Sequence, residues 1–137
     1  AGFGGMPELC QIPSPLSFLF IHGTADAVIP WQGLVRGNSY VLAPVNDTLA
    51  FWSQYAGCEG DVADTVLEKK NPEAETSVTL FSVGCAEDNE ILLYAVQGGG
   101  HNWPGVEDFI PEEFAGKVNT DISASNMIWG FFSRHEK

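Results

Sequence analysis

Two short stretches of this chain hold residue types that together could do acid–base chemistry: His22-Gly23-Thr24-Ala25-Asp26 and Gly98-Gly99-Gly100-His101-Asn102-Trp103-Pro104-Gly105. A serine hydroxyl is a poor nucleophile until a neutral imidazole takes its proton. The imidazole in turn needs a carboxylate to fix its tautomer and stabilise its charged form. Asp26 and His101 are the candidates for that carboxylate and that imidazole. The three glycines before His101 permit positive φ and close backbone approach, which suits a loop that must aim one ring. Each residue also has a plainer reading: a histidine after a glycine-rich turn can be structural or exposed, and an aspartate can simply serve its turn. His22 is expected to hydrogen-bond local backbone at the end of its strand, and His135 is expected to be solvated. Trp31 and Trp103 flank the acid and the base and could pack against an acyl or aryl group of a substrate. Partial core packing explains the same two rings equally well.

The elements that must position these groups are written in the apolar pattern. Residues 16–21 are a near-continuous apolar run that stops at His22-Gly23, as a central strand of a parallel sheet reads when both faces are buried. Residues 22–33 have turn chemistry. Asn46, Asp47 and Thr48 are N-cap candidates for a helix over the following residues to Ala56, with Gly57 as its stop. The same three residues form a glycosylation sequon, but a capping role explains them without modification. Residues 59–75 are polar and acidic and read as a surface loop. Residues 77–83 and 91–96 are rich in β-formers and read as an antiparallel hairpin. A long loop follows His101 to about Asn119, and a helix from about Asp121 to Arg134 closes the sequence. Ala124, Ile128, Phe131 and Phe132 fall on one face of that helix, and Trp52 and Trp129 are expected in the core. Asp26 and His101 thus each follow a strand, and loops beyond the carboxyl ends of strands build the active sites of open α/β sheets.

Composition narrows the function classes. With 137 residues and 45% hydrophobic content, the chain suits a single α/β domain or part of one, with no internal repeat or linker. A net charge of −12 repels phosphate backbones and argues against nucleic acid as a partner. No apolar run approaches the ~20 residues needed to span a bilayer. The first residues lack an initiator Met and the pattern of a signal peptide, so the chain is expected to begin in mid-protein. The strand of residues 16–21 has little sequence around it to cover its edge, which points the same way and suggests self-association through that edge. Cys10, Cys58 and Cys85 have no metal-ribbon or redox spacing, and an odd count leaves at least one thiol free or paired elsewhere.

Taken together, the blocks HGTADAVIPW, VNDTLAFWSQYAGC, VGC, ILLYAVQGGGHNWPG and DISASNMIWGFFSRH resemble the C-terminal part of the polyhydroxybutyrate-depolymerase and feruloyl-esterase family. These are extracellular serine esterases of the α/β-hydrolase superfamily. The resemblance covers nearly the whole chain, and it implies that residues 1–137 are the C-terminal part of one catalytic domain. It implies that Asp26 is the triad acid and His101 the triad base, with no cofactor and no metal. It also implies a Cys58–Cys85 disulfide, leaving Cys10 for the absent half or free, and a secreted or periplasmic setting. The departure from the family is large. In this superfamily the serine sits in a G-x-S-x-G elbow before the acid, and the chain has none. The nearest string, Gly37-Asn38-Ser39-Tyr40-Val41, lacks the second glycine and follows the acid, so Ser39 is not expected to be the nucleophile. The nucleophile half is expected upstream, as a partner of this half, and the chain alone is expected to be inactive. The expected substrate is an ester: a polyester, an acylated polysaccharide or a simple aryl ester. A polymer- or carbohydrate-binding remnant without catalysis is the alternative, and a peptidase or dienelactone-type hydrolase on the same fold is a third reading.

Overall fold

A computed structural model describes residues 16–85, 89–106 and 110–135. Strand β1 (Phe18–Gly23) forms where the apolar run predicts a strand, carried two residues further so that His22 and Gly23 belong to it. It runs parallel to β6 (Ile91–Gln97), with Gly23 opposite Val96. Strand β6 also pairs antiparallel with β5 (Ser77–Val83), as the predicted hairpin requires, and β5 pairs antiparallel with β4 (Val62–Val66). The sheet is therefore mixed, in the order β1-β6-β5-β4. A separate hairpin joins β2 (Leu34–Arg36) to β3 (Ser39–Leu42). Three helices complete the chain: α1 (Val45–Tyr55), α2 (Glu112–Ala115) and α3 (Ala124–Arg134).

The core follows β6. Successive residues Ile91, Leu92 and Leu93 are all buried, so both faces of this strand are covered, and both of its edges are paired. One apolar cluster gathers Ala56, Cys58, Val83 and Ile91 at one end of the strand. Another gathers Val78, Val96 and Ile122 near the other end. A disulfide joins Cys58 to Cys85, tying the end of α1 to the loop after β5. Gly57, at φ +68°, ends α1 in the left-handed turn that its position predicts.

Several expectations need correction. Strand β1 is not a fully buried central strand: among the described residues it has one ladder partner, and its side chains up to His22 are half-buried. Residues 59–75 are not all loop, because β4 lies within them. Every β4 side chain is exposed, so this edge strand carries no apolar face to betray it. The cap residues Asn46, Asp47 and Thr48 sit inside the first turn of α1, and Pro44 occupies the N-cap. Proline there leaves no N–H to satisfy and holds φ near the helical value. Helix α3 begins at Ala124, capped by Ser123, whose hydroxyl accepts from the Asn126 N–H. Of its expected inner face, Ala124 and Phe131 are buried, but Phe132 is 62% exposed. Trp129, expected in the core, is 74% exposed; among the described residues α3 packs chiefly on β1, through its other side. His135 is half-buried rather than solvated: its ring lies 2.8 Å from Glu90 Oε1 and 3.3 Å from Ser17 Oγ, against the Phe131 ring. Residues 1–15, Cys10 among them, lie outside the described residues.

Candidate active site

The parallel pairing of β1 and β6 delivers the two candidate loops to the same end of the sheet. Beyond the last register pair the loops are stitched together. Thr24 N–H donates to the Val96 carbonyl at 2.9 Å, Ala25 N–H to the Gly99 carbonyl at 2.9 Å, and Gly98 N–H to Thr24 Oγ1 at 2.9 Å. The approach is closest at Gly23, where an added Cβ would strike the carbonyls of Gly99 and Gly100, so glycine is required there.

On this scaffold Asp26 and His101 meet, with Asp26 Oδ2 2.8 Å from His101 Nδ1. The other carboxylate oxygen accepts from the backbone N–H groups of Val28 and Ile29, each at 2.8 Å. Asp26 is thus held by its own turn and aimed by it. An ionised carboxylate only accepts, so Nδ1 is the protonated ring nitrogen and Nε2 carries the free lone pair. The Asp26 side chain is 5% exposed and that of His101 41%, so the acid is sheltered while the imidazole opens to solvent. Among the described residues nothing hydrogen-bonds Nε2. Chemically, this is an imidazole with one nitrogen held by a carboxylate and the other open, an arrangement that can serve as a base.

His22 lies beside the pair in a structural role, its Nε2 donating to the Ile29 carbonyl at 2.9 Å and 4.0 Å from Asp26 Oδ2. It closes the turn that carries Asp26. Trp31 packs edge-on against His22, with ring centroids 5.8 Å apart, and its carbonyl accepts from Val45 N–H. Trp103 is 48% exposed and its indole N–H donates to Ser125 Oγ at 3.2 Å. Neither indole is hydrogen-bonded to Asp26 or His101. Ser39 lies in β3, on the exposed hairpin, and no hydrogen bond joins it to His101.

Sequence reasoning missed the segment that holds the His101 loop from behind. Residues 115–119 accept hydrogen bonds from Gly100, His101, Asn102 and Gly105. Its one local signal is Asn119-Thr120-Asp121, a spacing in which an Asn side chain can cap its own turn.

A cleft of about 490 Å³ lies elsewhere, between α1 and strands β4–β6, lined by Leu49, Ala50, Ser53, Val83 and Leu93. We give it no catalytic weight, since neither Asp26 nor His101 lines it. A smaller groove of about 220 Å³ follows β1 past His22, Ile29 and Pro30. Among the described residues no group of three His, Cys, Asp or Glu side chains is placed to hold a metal ion, and no helix is long and apolar enough to cross a membrane.

No family model, no curated protein and no solved structure matches this chain.

Proposed function

We propose that Asp26 and His101 are the acid and base of a serine carboxylic-ester hydrolase with an α/β-hydrolase fold, whose nucleophile lies outside these 137 residues. The observation that carries this reading is the 2.8 Å contact between a sheltered, backbone-anchored carboxylate and an imidazole whose Nε2 is open. Among the described residues no serine hydrogen-bonds His101 Nε2, and in this reading the serine and the backbone donors for the oxyanion are supplied by a further segment of the protein. That segment is the chief partner of this one, and β1, which has one ladder partner among the described residues, offers it an edge to join. Failing such a partner, the same edge invites pairing between copies, which gel filtration over a range of concentrations would detect.

In the proposed reaction His101 Nε2 takes the proton of the serine hydroxyl as its oxygen bonds to the ester carbonyl carbon. His101 then gives that proton to the departing alcohol as its bond to the acyl carbon breaks; water, deprotonated by the same nitrogen, attacks the acyl-enzyme, and the proton passes to the serine oxygen as the acid is released. Asp26 stabilises the imidazolium in each half-reaction. The Cys58–Cys85 disulfide supports a secreted or periplasmic setting for this activity. The test is hydrolysis of short-chain aryl esters by the full-length gene product, with and without His101→Ala. Loss of a measurable rate in the variant supports the reading. Equal rates would remove His101 from the base's role, and no hydrolysis by either protein across polyester, acyl-polysaccharide and aryl substrates would favour a non-catalytic, polymer-binding role.

A further inference from the structure

The backbone around His101 is held by a strap that leaves α2 at Ala115 and has no regular structure beyond it. Gly100 N–H donates to the Lys117 carbonyl at 2.9 Å, His101 N–H to the Ala115 carbonyl at 2.5 Å, and Gly105 N–H to the Asn119 carbonyl at 2.8 Å. The Asn102 side-chain amide donates to the Gly116 carbonyl at 2.6 Å. From Gly116 to Ser123 the strap belongs to no helix and no sheet, so something else must fix it.

We propose that Asn119 is a positioning residue for His101, its buried carboxamide locking the strap that sets the imidazole against Asp26. Asn119 is 1% exposed. Its amide nitrogen donates to Thr76 Oγ1 at 3.0 Å and to Asp121 Oδ2 at 2.9 Å. Its amide oxygen accepts from the N–H groups of Asp121 at 3.0 Å and Ile122 at 3.3 Å. Both donors and both acceptor sites of the side chain are used, the condition under which a buried polar group rigidifies its surroundings. The lock then reaches two further elements. Thr76 directly precedes β5, and Asp121 Oδ1 accepts from the Lys70 N–H at 2.9 Å. One side chain thus ties the strap to the sheet at the point where the strap's own hydrogen bonds pass to the His101 loop. The Lys117–Glu75 ion pair is a second tie, but at the surface, where such pairs count for little.

This inference rests on His101 being the general base, so its test is chosen to be read without catalysis. The chain is labelled with ¹⁵N at histidine, and exchange of the His101 Nδ1 proton with water is measured by NMR beside overall stability. In Asn119→Ala the exchange is expected to quicken about tenfold or more, the equivalent of one lost hydrogen bond in the opening equilibrium. The amides of Val28 and Ile29, bonded to Asp26, should stay protected. Thr76→Val removes only one of the four bonds and gives the same, smaller effect should Asn119→Ala fail to fold. Val83→Ala, in the apolar cluster near the disulfide, destabilises the fold generally and should leave the His101 proton unchanged. Unchanged exchange in the folded Asn119 or Thr76 variants, or equal quickening in Val83→Ala, overturns the proposal. Quickened exchange in a protein that hydrolyses no ester would sink the esterase reading and leave the positioning role standing.

Discussion

Replacing Asp26 by asparagine should reverse the tautomer of His101 while barely disturbing the fold. Asp26 accepts three hydrogen bonds: two backbone N–H groups on Oδ1, from Val28 and Ile29, and His101 Nδ1 on Oδ2, each at 2.8 Å. Asparagine has one oxygen to offer. The two backbone donors claim it, since turning the amide round would point its NH₂ at both of them. The NH₂ then faces His101 Nδ1, which must give up its proton to accept. The ring adopts the Nε2–H form and loses the lone pair a nucleophile needs. A reversal of this kind costs about 10⁴ in turnover in a serine protease, or about 5.5 kcal/mol of transition-state stabilisation. The fold trades one charge-assisted hydrogen bond for a neutral one, a loss of about 1 kcal/mol. ¹⁵N NMR reports the tautomer directly in this chain, and ester hydrolysis by the full-length protein reports the consequence. An Nδ1–H tautomer that persists in Asp26→Asn, or a rate within about tenfold of wild type, would refute the reasoning.

Three further outcomes follow from other parts of the structure. Removing the disulfide by Cys58→Ser with Cys85→Ser opens a link spanning 27 residues. The chain-entropy model puts that loss at roughly 3.5 kcal/mol, measurable as a lower urea midpoint, with a steeper slope because the denatured chain without its cross-link exposes more surface. Gly100→Ala places a Cβ against the Ala115 carbonyl and Gly116 Cα, so melting should fall by the equivalent of about 1–3 kcal/mol, with the His101 Nδ1 proton exchanging faster. At Glu90, burial pushes the carboxyl up, but the hydrogen bonds and charges of His135 and Arg134 together hold it below its usual 4.5. A lowered folded value means stability that is present above about pH 4.5 and lost as pH falls through that lowered value. Glu90→Gln should therefore melt lower than wild type near neutral pH, with the gap closing in acid; a gap that stays constant would contradict this.

What could be read from the sequence depended on whether an element announces itself by burial. Residues 77–83 and 91–97 carry dense β-formers on both sides of one loop, and their antiparallel pairing follows. Strand β4 is exposed throughout and owes its existence to the ladder with β5, which no local pattern encodes. Trp129 illustrates the reverse error, since its size suggests a core that α3 does not have on that side. Asp26 and His101 could be singled out because a carboxylate and an imidazole each follow a strand end, while their roles as acid and base are what the family resemblance implies. That the two strands are neighbours, and so bring the groups within hydrogen-bond reach, is a fact of topology. The strap of residues 115–119 was invisible for a related reason: its hydrogen bonds are made by carbonyls, which every residue has.

The most direct measurement is fluorophosphonate labelling, located by mass spectrometry, on this chain and on the full-length gene product. The account predicts labelling of the full-length protein at a serine outside residues 1–137, none on this chain, and none on the full-length protein once His101 is changed to alanine. Labelling of a serine within this chain, Ser39 included, or labelling that survives His101→Ala, would contradict it.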